Sequence, residues 1–135
     1  MADAMTRYTN SDRVFEFLKS QRRPLTAYEI LDALQEDGMT AATTVYRALT
    51  KLIADRRVHR IESLNAYTVC CKPNHSETPV FEICDACGNV TEHVGTAIAR
   101  DIAEVSSGSG FSPEHSIIEI RGLCRSCGVA QQSPP

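Results

Sequence analysis

Two short stretches carry the clearest chemistry: Cys84-Asp85-Ala86-Cys87-Gly88 and Cys124-Arg125-Ser126-Cys127-Gly128. Two residues between cysteines let the backbone turn both sulfurs toward one ion, and a following glycine permits a tight, often left-handed turn. Together, Cys84, Cys87, Cys124 and Cys127 can close a tetrahedral zinc site with no open position, which makes it structural rather than catalytic. Surface disulfides or unrelated buried thiols are the blander reading, but a doubled knuckle of this kind is rare by accident. A thioredoxin-like redox pair fits poorly, since neither pair reads as lying between a strand and a helix start in a βαβ unit.

Further residues of ligand type remain: His59, Cys70, Cys71, His75, Glu92, His93 and His115. On a strand, Cys70 and Cys71 point to opposite faces, so only one of them readily ligates, and Glu92 and His93 are alternatives in the same way. Several lie on either side of a polar, proline-interrupted stretch that reads as a hinge. A metal held by groups from both sides would fix the orientation of two domains, and hence the spacing of two DNA-reading helices in a dimer. That is the behaviour of a sensor. No nucleophile–base pair or open catalytic metal site is evident, so an enzyme with a small-molecule substrate is not expected.

These residues need elements to hold them. Thr9, Asn10 or Ser11 can cap a helix to residue 21, with Val14, Phe15, Phe17 and Leu18 inward and Arg22-Arg23-Pro24 as its stop. Thr26 caps a second helix with Ala27, Ile30, Leu31 and Leu34 on one face, ending at Gly38. A third places Val45, Ala48, Leu49, Leu52 and Ile53 in an apolar stripe. The period then changes, and residues 58–61 and 66–70 read as a hairpin about Glu62-Ser63-Leu64-Asn65.

Three helices and a hairpin form a winged helix-turn-helix, whose third helix enters a major groove while wing and basic groups meet phosphates. Arg47 can contact guanine, Thr43, Thr44 and Tyr46 can meet phosphate or a thymine methyl, Lys51 can neutralise backbone charge, and Tyr28 lies near the DNA edge.

The expected domains are 1–70 (winged helix), 71–78 (hinge) and 79–135. The last has strands near 80–83, 89–93 and 115–121, a helix over 96–105, a flexible loop over 106–110 and a tail over 130–135 without structural signal. The fold class is α+β, with the α/β second domain built around the four cysteines.

The net charge of -3 hides an asymmetry. Through Val69 there are 10 Lys/Arg against 9 Asp/Glu, and from Cys70 onward 4 against 8. Arg22-Arg23 and Arg56-Arg57 with Arg60 can still form a local positive face. No apolar run is long enough to span a bilayer and no secretory signal is evident, so a cytoplasmic protein without a membrane partner is expected. In a reducing compartment cysteines are more often metal ligands than disulfides.

Thr44-Val-Tyr-Arg-Ala-Leu49, Asn65-x-Tyr67-x-x-Cys70, Phe81-x-Ile-Cys-Asp-x-Cys-Gly88 and Gly122-Leu-Cys-x-x-Cys127 together resemble the ferric uptake regulator family, most closely its zinc uptake regulator branch. The resemblance runs from about Thr9 to Gly128. It implies a homodimeric, metal-dependent repressor with two zinc ions per chain, one structural and one regulatory, acting on a pseudo-palindromic DNA operator. The regulatory ligands would be His59, Cys70, His75 and Glu92, and Tyr28 and Arg47 would contact DNA. His115 matches a ligand of iron- and peroxide-sensing relatives and could join His93 at a further ion. The basic lead-in helix of the family is reduced to residues 1–8, and one histidine stands in the hinge where iron-type relatives carry a cluster. A thiolate among nitrogen and oxygen ligands suits zinc better than iron or manganese. An iron, manganese or peroxide sensor is the alternative within the family, and a zinc-stapled protein-interaction module is the alternative outside it.

Overall fold

The computed structural model describes residues 8–71, 78–114 and 116–132. The chain divides into two compact units, Met1–Asn74 and His75–Pro135. The hinge expectation falls largely on residues 72–77, outside the described residues, as do His75 and His115.

The first unit opens with α1, Asn10–Gln21, and α2, Ala27–Leu34. Both start on a capping box. The Thr9 hydroxyl accepts from the Asp12 N–H at 3.1 Å while the Asp12 carboxylate accepts from the Thr9 N–H at 2.9 Å. Thr26 and Glu29 repeat the exchange at 3.2 and 2.9 Å. Each box satisfies two amide groups that a helix start otherwise leaves open. Helix α1 ends at Arg22, which turns left-handed at φ 55 just before Arg23-Pro24. A short 3-10 turn, Gln35–Asp37, extends α2 as far as Gly38 at φ 90.

Helix α3, Ala42–Ala54, buries Val45, Ala48, Leu49 and Leu52 at helical spacing. They meet Val14, Phe15 and Leu18 of α1 and Ile30 and Leu34 of α2 in one core. Fully burying a side chain such as Ile30 contributes roughly 1.5–3 kcal/mol. Ile53, expected within the stripe, is instead 38% exposed, because it lies beyond the edge of the arc that Val45, Ala48, Leu49 and Leu52 occupy.

The wing is antiparallel, β1 (Val58–Ile61) against β2 (Ala66–Val69), with Val58 opposite Val69 and Arg60 opposite Tyr67. Cys70 lies just past the end of β2. An addition not foreseen is Leu25, which bridges Tyr67 with two backbone hydrogen bonds of 2.8 and 2.9 Å. It ties the residue before the Thr26 cap to the wing.

In the second unit β3 (Pro79–Cys84) is the central strand, flanked by antiparallel β4 (Val90–Val94) and parallel β5 (Ile118–Gly122). Helix α4, Thr96–Ser109, lies between β4 and β5 in sequence, and α5, Arg125–Gln132, follows β5. Strand β3, central in the sheet, is buried at every position except Glu82.

Three expectations are corrected here. The stretch 106–109 is helical rather than a loop. Ser107 and Ser109 return their hydroxyls to the carbonyls of Glu104 and Ser106, and Gly110 at φ 76 closes the helix. The start of the tail is also helical, through α5. Strand β5 begins at Ile118 rather than near residue 115.

Candidate metal centres and DNA-reading surface

The four knuckle cysteines converge within the second unit, their sulfurs all within 4.8 Å of one another. The Sγ atoms of Cys87 and Cys124 are 3.8 Å apart. Parallel pairing of β3 with β5 sets Cys84 opposite Gly122, so both knuckles leave the same end of the sheet. The first turns through Gly88 at φ 77, whose N–H donates to the Cys84 carbonyl at 2.9 Å. The second differs from the expected glycine turn: Gly128 lies inside α5 and donates to the Cys124 carbonyl at 2.8 Å, as a first helical turn would. Cys124–Cys127 therefore straddles a strand-to-helix junction, but no strand follows α5 among the described residues, so the pair is not part of a βαβ unit. Its sulfurs sit with those of Cys84 and Cys87, which makes a four-thiol cluster rather than an isolated redox pair.

A clamp that the sequence did not announce holds the knuckles together. The Asp85 N–H donates to the Gly122 carbonyl at 2.7 Å, and the Arg121 guanidinium grips the Asp85 carboxylate through Nε at 2.9 Å and a terminal nitrogen at 2.7 Å. Both nitrogens meet the same carboxylate oxygen, a charge-assisted contact.

The thiols are strongly inequivalent. Hydrogen bonds from the Cys124 and Cys87 backbones bring buried Cys84 down from 9.0 to about 6. The neighbouring thiols of Cys124, Cys84 and Cys87 push Cys127 up to about 12. Cys87 is also raised: the Asn89 backbone pulls it down, but the Cys84 thiol, burial and Cys124 outweigh that pull. One thiolate thus opposes ionisation of the next. A divalent cation among them removes the conflict, because coordinated thiols are deprotonated outright. This donor set fits zinc.

A second pair of ligand-type residues sits at the base of the wing. His59 on β1 and Cys70 beyond β2 bring a ring nitrogen and a sulfur within 4.8 Å of each other. Cys70 is buried and Cys71 exposed, although neither lies on a strand. In the second unit Glu92 is half-buried on β4, opposite Phe81. His93 faces the other way and is exposed, 2.8 Å from the Glu82 carboxylate.

On α3 the polar positions separate from the buried stripe. Thr43, Tyr46, Arg47 and Lys51 are exposed, and Thr44 is half-buried. Tyr46 is 42% exposed, which removes the core-packing alternative, and Tyr28 on the first turn of α2 is 70% exposed. Thr43, Tyr46 and Arg47 fall at i, i+3 and i+4, one face of the helix.

The expected positive face is partly spent on internal contacts. Lys51 pairs with Asp55 at 3.1 Å, Arg23 with Glu29 at 3.5 Å, and Arg60 with Glu62 at 2.9 Å, while the Arg57 guanidinium lies 3.9 Å over the Phe15 ring. Exposed single-contact pairs such as Lys51–Asp55 and Arg23–Glu29 are weak enough to exchange for phosphate. Among the described residues no helix is long and apolar enough to cross a membrane.

Comparison with known proteins agrees with these features. The family model described as "Ferric uptake regulator family" matches residues 4–121. The zinc uptake regulation protein of Escherichia coli is 35% identical over 118 residues, covering 84% of this chain and 68% of that protein. A structure described as a zinc uptake regulator complexed with zinc and DNA superposes with a TM-score of 0.86 at 32% identity, covering 98% of this chain and 90% of that one. A second, described as holo XcZur, gives 0.82 at 33% identity, covering 89% and 84%. The four-thiol cluster, the winged helix and these similarities together show that this chain belongs to the ferric uptake regulator family.

Proposed function

We propose that this protein is a zinc-responsive transcriptional repressor that binds a pseudo-palindromic operator as a zinc-loaded homodimer and silences zinc-uptake genes in the cytoplasm. The observation that carries the reading is the separation of two ligand groups within one chain. Four thiols lie in the second unit, and a histidine–cysteine pair lies at the base of the wing.

Zinc at Cys84, Cys87, Cys124 and Cys127 has a structural task. It lets all four thiols ionise and staples a small unit whose α4 helix has no buried residue of its own. Val105, Phe111 and Val129 are 76%, 68% and 61% exposed, apolar surface suited to a second copy of the chain.

A second zinc at His59, Cys70, His75 and Glu92 has the regulatory task. Its ligands come from both units, so binding fixes how the winged helices are presented to DNA. The mixed thiolate, imidazole and carboxylate set favours zinc over iron or manganese. Thr43, Thr44, Tyr46 and Arg47 on α3 would read the major groove, with Tyr28 and Lys51 at the phosphates. The matched relatives are regulators, and no enzymatic role is assigned.

The test is duplex binding by the purified protein with its knuckle site filled, against an operator enriched from a random pool, titrated with buffered zinc, iron(II) or manganese(II). Affinity that rises with zinc alone supports the reading. A response to iron or manganese alone selects another metal, and the absence of any salt-sensitive duplex binding selects a protein-interaction module.

A further inference from the structure

Arg60 occupies an unusual position for a base on a DNA-facing wing. Its guanidinium does not project freely. One terminal nitrogen contacts both carboxylate oxygens of Glu62, at 2.9 and 3.1 Å, and the other donates to the Asn65 side-chain oxygen at 2.8 Å. Glu62 and Asn65 are the first and last residues of the turn joining β1 to β2. The fork therefore spans the wing tip from one end to the other.

Asn65 is left-handed at φ 50, a conformation that asparagine adopts more readily than most residues. The backbone bonds from Leu64 to Ile61 and from Asn65 to Glu62 are both 3.2 Å. Arg60 is also well anchored. It lies opposite Tyr67, which is 6% exposed and bridged to Leu25, and its own Nε is buried without a hydrogen-bond partner. Placing a guanidinium where one donor is unsatisfied is unfavourable. That cost is understandable if the other donors must be aimed at particular atoms. A lysine would supply the charge but not the fork.

We infer that Arg60 is a positioning residue for DNA binding: it clamps Glu62 to Asn65 and so holds the wing tip in the shape that meets the duplex, rather than neutralising a phosphate itself. With the Glu62 carboxylate against it, its charge is already compensated, whereas its geometry is not replaceable. Through Tyr67 and Leu25 the clamped wing is continuous with the start of α2, where Tyr28 lies. The inference rests on the DNA-binding reading proposed above.

The test measures zinc-loaded duplex affinity across a salt series for the wild type, Arg60→Gln, Arg60→Lys and Asn65→Gly. Glycine keeps the left-handed backbone while removing the accepting oxygen, so it tests the clamp without straining the turn. Losing charged hydrogen bonds predicts about ten-fold weaker binding in all three variants. The slope of log affinity against log salt stays at the wild-type value. A slope reduced by about 0.9 in Arg60→Gln and restored in Arg60→Lys would make Arg60 a phosphate contact and overturn the inference. Affinity within about two-fold of wild type in Arg60→Gln or Asn65→Gly would overturn it as well, being far below the loss expected of a charged hydrogen bond. If the wild type itself shows no zinc-dependent duplex binding, the proposed function fails instead.

Discussion

Cys70 donates its backbone N–H to the carbonyl oxygen of Arg57 at 2.9 Å. Arg57 in turn donates to the Leu52 carbonyl at the end of α3 and lays its guanidinium over Phe15 of α1. A ligand-type cysteine is thus one hydrogen bond away from the segment that terminates α3. Under the regulatory role proposed for Cys70, metal bound there would have a short covalent and hydrogen-bonded route to α3. Coupling of about 1–3 kcal/mol is typical of allosteric responses.

Cys70→Ser should retain that backbone bond while losing the thiolate. We expect a folded dimer with its knuckle zinc intact and a duplex affinity that no longer rises with zinc, a loss of about 5–150-fold in the response. Zinc content together with a zinc-buffered binding titration checks it. A normal zinc response in the variant would remove Cys70 from the regulatory site.

Cys127→Ser should act differently. Structural zinc in small domains supplies roughly 10–16 kcal/mol of apparent binding energy at neutral pH, more than a unit of this size can lose. We expect loss of the tightly held zinc, a disordered second unit and a monomer by sedimentation, with helical signal from the first unit retained. Chelating the knuckle zinc from the wild type should reproduce the same state.

Acid should weaken the first unit through its caps. The Thr9 N–H and hydroxyl hold the Asp12 carboxyl below its ordinary 3.8, and the Thr26 N–H holds Glu29 below its ordinary 4.5. Because both values are lowered on folding, the stabilisation is complete above those ordinary values and is lost as pH falls through the lowered ones. Thermal midpoints recorded from neutral pH to pH ~3 should fall in the acid range, and an Asp12→Asn, Glu29→Gln double variant should fall less steeply. Thr26→Ala, which removes one cap at any pH, should cost about 1 kcal/mol.

Arg47→Ala should weaken operator binding by about 1–3 kcal/mol and relax preference at one base position, whereas Lys51→Gln should weaken all sequences alike. Competition with operator variants separates the two. Because Lys51 is already paired with Asp55, its contribution should be the smaller.

Elements governed by local chemistry were legible in the sequence. Thr26 announces its helix and Thr9 stands among three candidate caps with Asn10 and Ser11, whereas the Asp12 and Glu29 halves of the two boxes came from the structure. The knuckles announce a metal because two thiols at that spacing suit one ion. What escaped was set by non-local contacts or by the backbone. Arg121 on Asp85 and Leu25 on Tyr67 join distant segments without a pattern to mark them. The serine-rich end of α4 looked like a loop because serine and glycine are poor helix formers in isolation. There, hydroxyls bonded to the preceding turn and a left-handed Gly110 let the helix run on. His59 and Cys70, distant in sequence, are brought together by the wing; their regulatory role stays a proposal.

The parallel pairing of β3 and β5 also sets an order of events during synthesis. The first knuckle leaves the ribosome well before the second, and Cys87 and Cys124 are separated by 37 residues. Parallel strands cannot pair until the intervening crossover exists, so such contacts form late. The winged helix, whose residues all precede β3, can be complete while the nascent second unit still carries two unmatched thiols. Over that interval Cys84 and Cys87 are only half of the four-thiol set, and the cluster can close only after β5 and the second knuckle have emerged.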